Sequence, residues 1–325
     1  MLGSLRLILA IAVAASHANF RIAGLVPGVI AVVGFYLISG YVMAGLIRRH
    51  YSQPTAAPVF YLDRALRLLP QYLIYLSLAL TWHLYTQTEN YHLSHPPTAT
   101  DIINNLLIVP LNYFMWNGAD HYALIPPAWS LGAEIQFYLI APFLLTWPKR
   151  LLVVGLLSLG VYLAALSGLI NSDWYGYRLL PGVLLFFLLG ALIQQHHHQK
   201  QGSRATAITV MVVLAATAAL GLLQYHGTLD QPFNAETLVG LMLGISLLHT
   251  LATRPRTRWD DLAGNLSYGV FLNHFLVFWT IYPQGVSAGQ FPGFLAISIA
   301  LAWLTQHYIE QPLLRWRQTL RRPPS

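Results

Sequence analysis

The sequence predicts an all-α polytopic membrane protein in which about ten transmembrane helices form one bundle, with the N-terminus and the C-terminus in the cytoplasm. Hydrophobic residues make up 56% of the 325-residue chain and charged residues only 9%, whereas a soluble domain usually carries about 25% charged residues. The apolar stretches are many, and they are long enough to cross a bilayer. Most cations lie in short clusters between these stretches, which is typical of multi-pass membrane proteins.

The apolar stretches give the predicted spans in chain order. They cover residues 2–20, 27–49, 60–86, 126–147, 150–170, 178–195, 204–226, 235–252, 264–283 and 290–316. We expect one transmembrane domain over residues 1–325 with no appended soluble domain, so that any chemistry takes place inside the bundle.

The charges between the spans predict the orientation. With the N-terminus in the cytoplasm, the clustered cations fall on that side: Arg48, Arg49, Lys149, Arg150, Lys200, Arg204, Arg254, Arg256, Arg258, Arg315, Arg317, Arg321 and Arg322. The outer connections carry the carboxylates Glu89, Asp101, Asp120, Asp173, Asp230 and Glu236, with Arg21 as a lone cation. The net charge of +7 therefore indicates membrane orientation and not a nucleic-acid partner.

Two further features bear on metals and covalent intermediates. The chain has no cysteine, which excludes disulfides, thiolate metal sites and an acyl-cysteine intermediate. The run His196–His198 falls in a cytoplasmic connection, and we expect a solvated loop there. No metal site is predicted.

The longest connection, residues 87–125, is expected to be non-helical and external. It is rich in histidine, amide and aromatic side chains. It forms either a polar cap over the helices or a functional lid that offers a platform for saccharides, since long loops in compact domains are often functional. The sequence leaves both possibilities open.

The first predicted helix carries two ionisable residues, Arg6 and His17. They are eleven residues apart, which on a helix is about three turns and roughly 16 Å of rise, so both lie near one stripe. Ionisable groups at membrane depth are costly and are candidates for function. Arg6 alone could simply reach the cytoplasmic interface, but His17 needs a polar partner, and a neutral histidine is a natural general base for an alcohol.

Arg64 and Arg67 face one side of the third predicted helix near its start. Two guanidiniums on one face bind phosphates well, and they lie on the cytoplasmic side, where nucleotide-bearing donors are found. The alternative is a pair of interfacial anchors with Asp63 as a surface partner.

The fourth predicted helix contains Trp129, Ser130, Glu134 and Tyr138. Glu134 lies about two turns from the external end and Tyr138 one turn further, so the carboxylate needs a partner, a proton or a solvated cavity. It could pair with His17, either to activate that histidine or merely to tie two helices together. In the ninth predicted helix, Ser267 is expected to form hydrogen bonds between helices, whereas the role of His274 on the same face is left open.

These segments resemble the acyltransferase-3 family of bacterial membrane O-acyltransferases. The resemblance rests on Arg6-x10-His17, on Phe35-Tyr-Leu-Ile-Ser39-Gly40-Tyr41, on Arg64-x-x-Arg67 with Pro70, on Trp129-Ser-Leu-x-x-Glu134, on Ser267-Tyr-Gly-Val-Phe-Leu-x-His274 and on Glu310-Gln-Pro312. These motifs follow in the family's order across nearly the whole chain, and ten helices is the family's usual number. Many members carry a longer tail before the arginine and an appended external hydrolase-like domain. Neither is seen here, which implies that transfer is completed within the membrane domain.

The resemblance implies a multi-pass enzyme of the bacterial inner membrane that takes an acyl group, expected to be acetyl, from cytoplasmic acyl-CoA. The acceptor is expected to be a hydroxyl of a glycan or lipid-linked sugar on the outer side. Acetyl-CoA would be a donor substrate, with no permanently bound cofactor. His17 and Glu134 would be catalytic, and Arg6, Arg64 and Arg67 would bind acyl-CoA. Supporting or acceptor roles would fall to Ser39, Trp129, Ser130, Tyr138 and His274.

A second class of function also fits intramembrane ionisable residues. A proton-coupled secondary transporter of a small solute could use His17 and Glu134 as a proton relay. Transporters of this kind usually show inverted repeats with broken helices, and the two halves of this chain show no convincing repeat.

Overall fold

The computed structural model describes residues 1–313, which form helices and no β-sheet. The α-helices of this part of the chain are α1 (Leu2–His17), α2 (Pro27–His50), α3 (Ala57–Thr86), α4 (Ala99–Leu107), α5 (Phe114–Asn117), α6 (Ala128–Leu144), α7 (Pro148–Leu166), α8 (Leu180–His198), α9 (Gly202–Tyr225), α10 (Asn234–Leu251), α11 (Arg258–Ile281) and α12 (Phe291–Thr305). Short π-helical segments cover Asp173–Arg178 before α8 and Gln306–Glu310 after α12.

Each predicted span coincides with one of these helices, and the fold class is confirmed. The largest shift among the starts is at α11, which begins at Arg258 instead of residue 264. Within the described residues, five segments are long and apolar enough to cross a membrane: Pro27–His50, Lys149–Leu166, Asp173–His198, Gly202–Tyr225 and Asn234–Leu251. The number of ten spans and the cytoplasmic termini stay predictions. The end of the last span and the four C-terminal arginines lie outside the described residues.

Residues 87–125 were expected to be non-helical, and that expectation is wrong at α4. Thr98 and Asp101 form a capping box: the Thr98 hydroxyl accepts from the amide of Asp101 at 3.2 Å, and the Asp101 carboxylate accepts from the amide of Thr98 at 2.9 Å. Such reciprocal capping starts a helix. The buried Asn105 then donates to the carbonyl of Tyr122 at 2.8 Å, so this segment is a folded cap.

Helix α2 lies in the interior of the bundle, packed against α1, α8 and α10. In its most apolar window, 67% of the residues are buried, against 11% in α9, which therefore lies at the lipid-facing periphery. Two glycines let α2 and α8 touch: a Cβ on Gly40 would come within 1.8 Å of the carbonyl oxygen of Phe187, and one on Gly190 within 1.9 Å of that of Leu37. Small residues allow such close helix packing in membranes.

Helix α1, which carries Arg6 and His17, is attached to α11 at one end. A Cβ on Gly3 would lie 1.9 Å from the carbonyl oxygen of Asp260. The Asp260 carboxylate accepts from the amide of Ser4 at 2.8 Å and from its hydroxyl at 2.9 Å. This contact fixes the axial position of α1 relative to α11.

Candidate functional site: two adjoining cavities

A cavity of about 390 Å³ opens at the end of the bundle where α1 begins and α2 ends. We call it the basic cavity because five arginines line it: Arg6, Arg49, Arg64, Arg67 and Arg256. Glu134, Tyr138 and Ser130 of α6 line the same cavity. The predicted donor-site arginines therefore converge on one space, together with two arginines that were not predicted.

Glu134 is held by two hydroxyl groups. The Tyr138 hydroxyl donates to Oε1 of Glu134 at 2.5 Å, and the hydroxyl of the buried Ser39 donates to the same oxygen. Arg6 of α1 lines the same cavity as this carboxylate. The predicted residues Ser39, Glu134 and Tyr138 thus form one hydrogen-bonded group.

Arg64 and Arg67 both line the basic cavity, and each is paired with a carboxylate. Arg64 contacts Asp63, which is fully buried, so the expectation that Asp63 lies at the surface is wrong. Arg67 pairs with Glu310, which arrives from the π-helical segment after α12. These partners hold the two guanidiniums in place at the cavity wall.

A second cavity, of about 360 Å³, opens at the opposite end of the bundle. We call it the histidine cavity. It is lined by His17 at the end of α1, by His92 and Asp120 of the folded cap, and by Trp129 and Arg178. Burial lowers the pKa of His92, which therefore tends to stay neutral.

His17 pairs with His274 of α11. Nδ1 of His17 lies 3.0 Å from Nε2 of His274, and Nδ1 of His274 lies 3.1 Å from the carbonyl oxygen of Val270. A carbonyl can only accept, so Nδ1 of His274 carries a proton, and Nε2 of the neutral ring accepts from His17. Within residues 1–313, Nε2 of His17 has no hydrogen-bond partner, so its lone pair is available to a bound molecule.

The suggested pairing of Glu134 with His17 is wrong. Glu134 faces the basic cavity and His17 the histidine cavity, because Ser39 and Tyr138 hold the carboxylate at the basic cavity. For the same reason, Arg6 and His17 share a helix but line different cavities.

Two smaller expectations are also corrected. The hydroxyl of Ser267 donates to the carbonyl of Gly264 at 2.8 Å, within its own helix and not to a neighbouring one. His196–His198 form the last turn of α8, where Nε2 of His197 lies 3.0 Å from Nδ1 of His249. Helix α8 therefore continues about one turn further than its apolar sequence suggested.

The two cavities meet at three side chains. Val32 of α2, Ser130 of α6 and Phe271 of α11 line both of them. All three are buried, at 4%, 7% and 8% exposure. Helix α6 therefore runs along the whole path, with Trp129 at the histidine cavity, Ser130 at the junction and Glu134 in the basic cavity.

Arg178 is a site residue that was not predicted. Its Nε donates to Asp173 at 2.6 Å, and its guanidinium carbon lies 4.5 Å from the ring centre of Trp129. In the sequence, one arginine among aromatic residues looks like an interfacial anchor. The feature of the sequence that could have indicated Arg178 is the carboxylate of Asp173, which lies nearby in the same segment.

A family model described as an acyltransferase domain, that of acyltransferase-3, matches residues 2–307. The chain belongs to the acyltransferase-3 family. The matched range contains every residue that lines the two cavities. The resemblance in the sequence motifs is confirmed, and the protein is a multi-pass membrane acyltransferase. The alternative of a transporter receives no support from this membership.

Relatives of this acyltransferase-3 protein occur in diverse bacteria. An uncharacterised protein of Aquifex aeolicus is 38% identical over 61% of the chain and 91% of its own length. Nodulation protein 10 of Rhizobium leguminosarum bv. viciae is 26% identical over 88% of the chain and 82% of its own length. A Staphylococcus aureus protein named "Putative O-acetyltransferase SAR0937" is 24% identical over 98% of the chain, which spans 59% of that relative's length. No solved structure matches the chain significantly.

Proposed function

We propose that the protein is an O-acyltransferase of the bacterial inner membrane that uses acyl-CoA, with acetyl-CoA as the first candidate. The acyl group would pass from the basic cavity, on the cytoplasmic side, to a hydroxyl of a glycan or lipid-linked sugar in the histidine cavity, on the outer side. The observation that carries this proposal is the junction at Val32, Ser130 and Phe271, where a cationic cavity and a cavity with a histidine base adjoin.

The basic cavity suits the donor because its cations outnumber its carboxylates, even when the partners Asp63 and Glu310 are counted. Coenzyme A carries several phosphate charges, which guanidiniums bind with charge-assisted hydrogen bonds. Arg64 and Arg67 would hold these phosphates. Arg6 lies deeper along α1, next to Glu134, and would meet the end of the donor that carries the thioester.

In the histidine cavity, Nε2 of His17 would take the proton of the acceptor hydroxyl. The oxygen then attacks the thioester carbonyl, the carbon–sulfur bond breaks, and the proton passes from His17 to the departing thiolate. His274 fixes the proton on Nδ1 of His17 and orients the ring, which is the usual role of a third group behind a catalytic base. If His17 instead relays the acyl group, the same Nε2 lone pair would be the nucleophile.

Reconstituted protein tests the proposal. Radiolabelled acetyl-CoA is supplied on one side of proteoliposomes that contain the hydroxylated glycolipid fraction of the source membrane, and label in that fraction is measured. His17→Gln keeps hydrogen-bonding capacity but has no titrating nitrogen, so it should lose transfer and still bind CoA. The matched control is His226→Gln, an exposed histidine outside both cavities.

The donor site is tested in the same preparation. The Arg64→Gln/Arg67→Gln double variant should bind CoA about 10²- to 10⁴-fold more weakly, because it loses two charge-assisted contacts worth roughly 1.5–3 kcal/mol each. Arg204→Gln, on the exposed start of α9, should bind CoA like the wild type. Full transfer by His17→Gln would remove the catalytic assignment, and unchanged CoA affinity in the double variant would make both arginines mere anchors.

A further inference from the structure

The guanidinium of Arg178 has an unused end in the histidine cavity. Within residues 1–313, its hydrogen bonding involves Nε alone, which donates to Asp173 at 2.6 Å. The side chain lines the cavity and is 16% exposed. Two terminal nitrogens with four N–H groups are therefore left to bind a ligand, and an arginine can use this edge as a bidentate donor.

Four aromatic rings hold this guanidinium in one position. Its central carbon lies 4.5 Å from the ring centre of Trp129, 5.0 Å from Phe114, 5.2 Å from Tyr177 and 5.8 Å from Phe233. Phe233 has a left-handed backbone with φ of 65°, which is strained for a bulky residue. A cation fixed by such contacts loses little freedom when it binds an anion.

The backbone at Arg178 is held from α6. Nδ2 of Asn112 donates to the carbonyl of Arg178 at 3.1 Å, and Oδ1 of Asn112 accepts from Gln136 of α6 at 2.9 Å. Helix α6 also carries Trp129 and Ser130, so Arg178 has a fixed position relative to the junction of the two cavities.

Among the described residues, the carboxylates near Arg178 already have hydrogen-bond partners and leave its terminal nitrogens unpaired. Asp173 is occupied by Nε, and Asp120, which lines the same cavity, accepts the hydroxyl of Tyr91 at 2.7 Å. This bond to a carboxylate raises the pKa of Tyr91, so the phenol keeps its proton and Asp120 keeps its partner. A second cation, Arg21, lies exposed at the cavity wall.

We propose that Arg178 is an oxyanion subsite and that the acceptor carries a phosphate or carboxylate besides the hydroxyl that is acylated. The terminal nitrogens of Arg178 bind the oxyanion, and the rest of the acceptor extends towards Nε2 of His17 and the junction at Ser130. This inference rests on the proposed function, since it names the class of acceptor, but it concerns binding alone.

The test is calorimetric titration of purified protein without acyl-CoA. The probes are glucose 1-phosphate, glucuronate and, as the neutral control, glucose. The variant is Asp173→Asn/Arg178→Gln, which removes the guanidinium without leaving an unpaired carboxylate. It should bind at least one anionic probe about 10- to 100-fold more weakly than the wild type, whereas the response to glucose should not change. Any binding of these probes in the basic cavity is common to both proteins and cancels in the comparison.

Two further variants sharpen the result. Asp173→Asn alone should bind the anionic probe more tightly than the wild type, because no carboxylate then offsets the charge of Arg178 or repels the anion. Arg204→Gln should behave like the wild type, as an arginine outside the cavity. Equal affinities of wild type and double variant for both anionic probes would overturn the proposal.

The source of the oxyanion is distinguished by repeating the titration in nanodiscs. If a lipid headgroup is the natural ligand, phosphatidylglycerol should suppress binding of the anionic probe relative to phosphatidylcholine alone, and the double variant should show no such suppression. A phosphate or carboxylate on a sugar predicts equal binding in both lipids. Failure of this test would leave acetyl-CoA binding and His17-dependent transfer intact, so it is separable from failure of the proposed function.

Discussion

Nδ1 of His17 donates to Nε2 of His274, and these two ring nitrogens are 3.0 Å apart although the residues are 257 positions apart in the chain. The ring centres are 5.1 Å apart with an angle of 14° between the planes, so the two rings lie side by side nearly in one plane, as a hydrogen bond between ring nitrogens requires. Because His274 donates in turn to the carbonyl of Val270, the chain of hydrogen bonds has one direction. It runs from His17 to Val270 and leaves the lone pair on Nε2 of His17.

Replacing His274 tests this direction. His274→Leu removes the acceptor for Nδ1 of His17, and we expect acyl transfer to fall by about 10²-fold, within the range of a general-base contribution. His274→Gln offers an amide oxygen as a substitute acceptor and should retain more of the activity. CoA affinity should not change in either variant. The measurement is the initial rate in proteoliposomes, and equal rates for His274→Leu and wild type would contradict the assignment.

The ion pair of Arg67 and Glu310 separates anchoring from donor binding. Glu310 is 4% exposed, and removal of one partner from a buried ion pair typically costs about 3–5 kcal/mol. We therefore expect Glu310→Ala to lower the melting temperature markedly. The charge swap Arg67→Glu/Glu310→Arg should recover stability, since the pair is restored, but not CoA affinity. If stability and CoA affinity both recover in the charge-swapped variant, the ion pair is needed but an arginine at position 67 is not.

The link of Asp260 to Ser4 predicts a pH-dependent stability. Burial acts to raise the pKa of Asp260, but the hydrogen bonds from Ser4 outweigh it, and the pKa lies below the usual 3.8. A carboxyl with a depressed pKa in the folded protein contributes stability above its unfolded pKa and loses it as the pH falls through the folded value. At pH 7, Asp260→Asn should therefore cost about 1–3 kcal/mol, and the difference from wild type should shrink below pH 4.

Thermal unfolding at pH 7 and at about pH 2.5, which lie above and below the ordinary range of carboxyl pKa values, measures this effect. Asp261→Asn is the matched control, because Asp261 is exposed in the same turn of α11. If the two variants melt alike at both pH values, the link to α1 contributes no stability.

The orientation is open to direct labelling, because the chain has no cysteine. Gln199→Cys, an exposed position at the end of α8, should resist an impermeant thiol reagent in intact cells and react after permeabilisation. Asp230→Cys, exposed between α9 and α10, should react without permeabilisation. The reverse pattern would invert the bundle and exchange the sides of the two cavities.

The sequence predicts where the helices lie better than it predicts which side chains meet between them. Long apolar runs mark the helices because the bilayer demands about 20 apolar residues per span. Helix α4 is missed because Ala99–Leu107 is short and lies in a polar segment, although Thr98 and Asp101 have the spacing of a capping box. Arg6, His17, Arg64 and Glu134 are recognisable from the cost of burying charge in a membrane.

Which of these groups meet is decided by tertiary packing. His17 meets His274 and not Glu134, because Ser39 and Tyr138 hold the carboxylate at the other cavity. The contacts of His17 with His274 and of Ser39 with Glu134 do not follow from spacing along the chain, since they join different helices. Tyr138 and Glu134, in contrast, are one turn apart on α6. Arg178 is missed because its surroundings come from four separate segments.

The junction at Val32, Ser130 and Phe271 has an electrical consequence. Two cavities that enter a membrane protein from opposite ends bring water close to its middle, and the transmembrane voltage then drops mainly across the thin layer between them. A charge that crosses this layer feels most of the potential, worth about 2.3 kcal/mol per 100 mV. A neutral acyl group can cross it without electrical work, whereas ions and protons cannot. These three side chains would thus insulate the bilayer at the point where the proposed transfer crosses it.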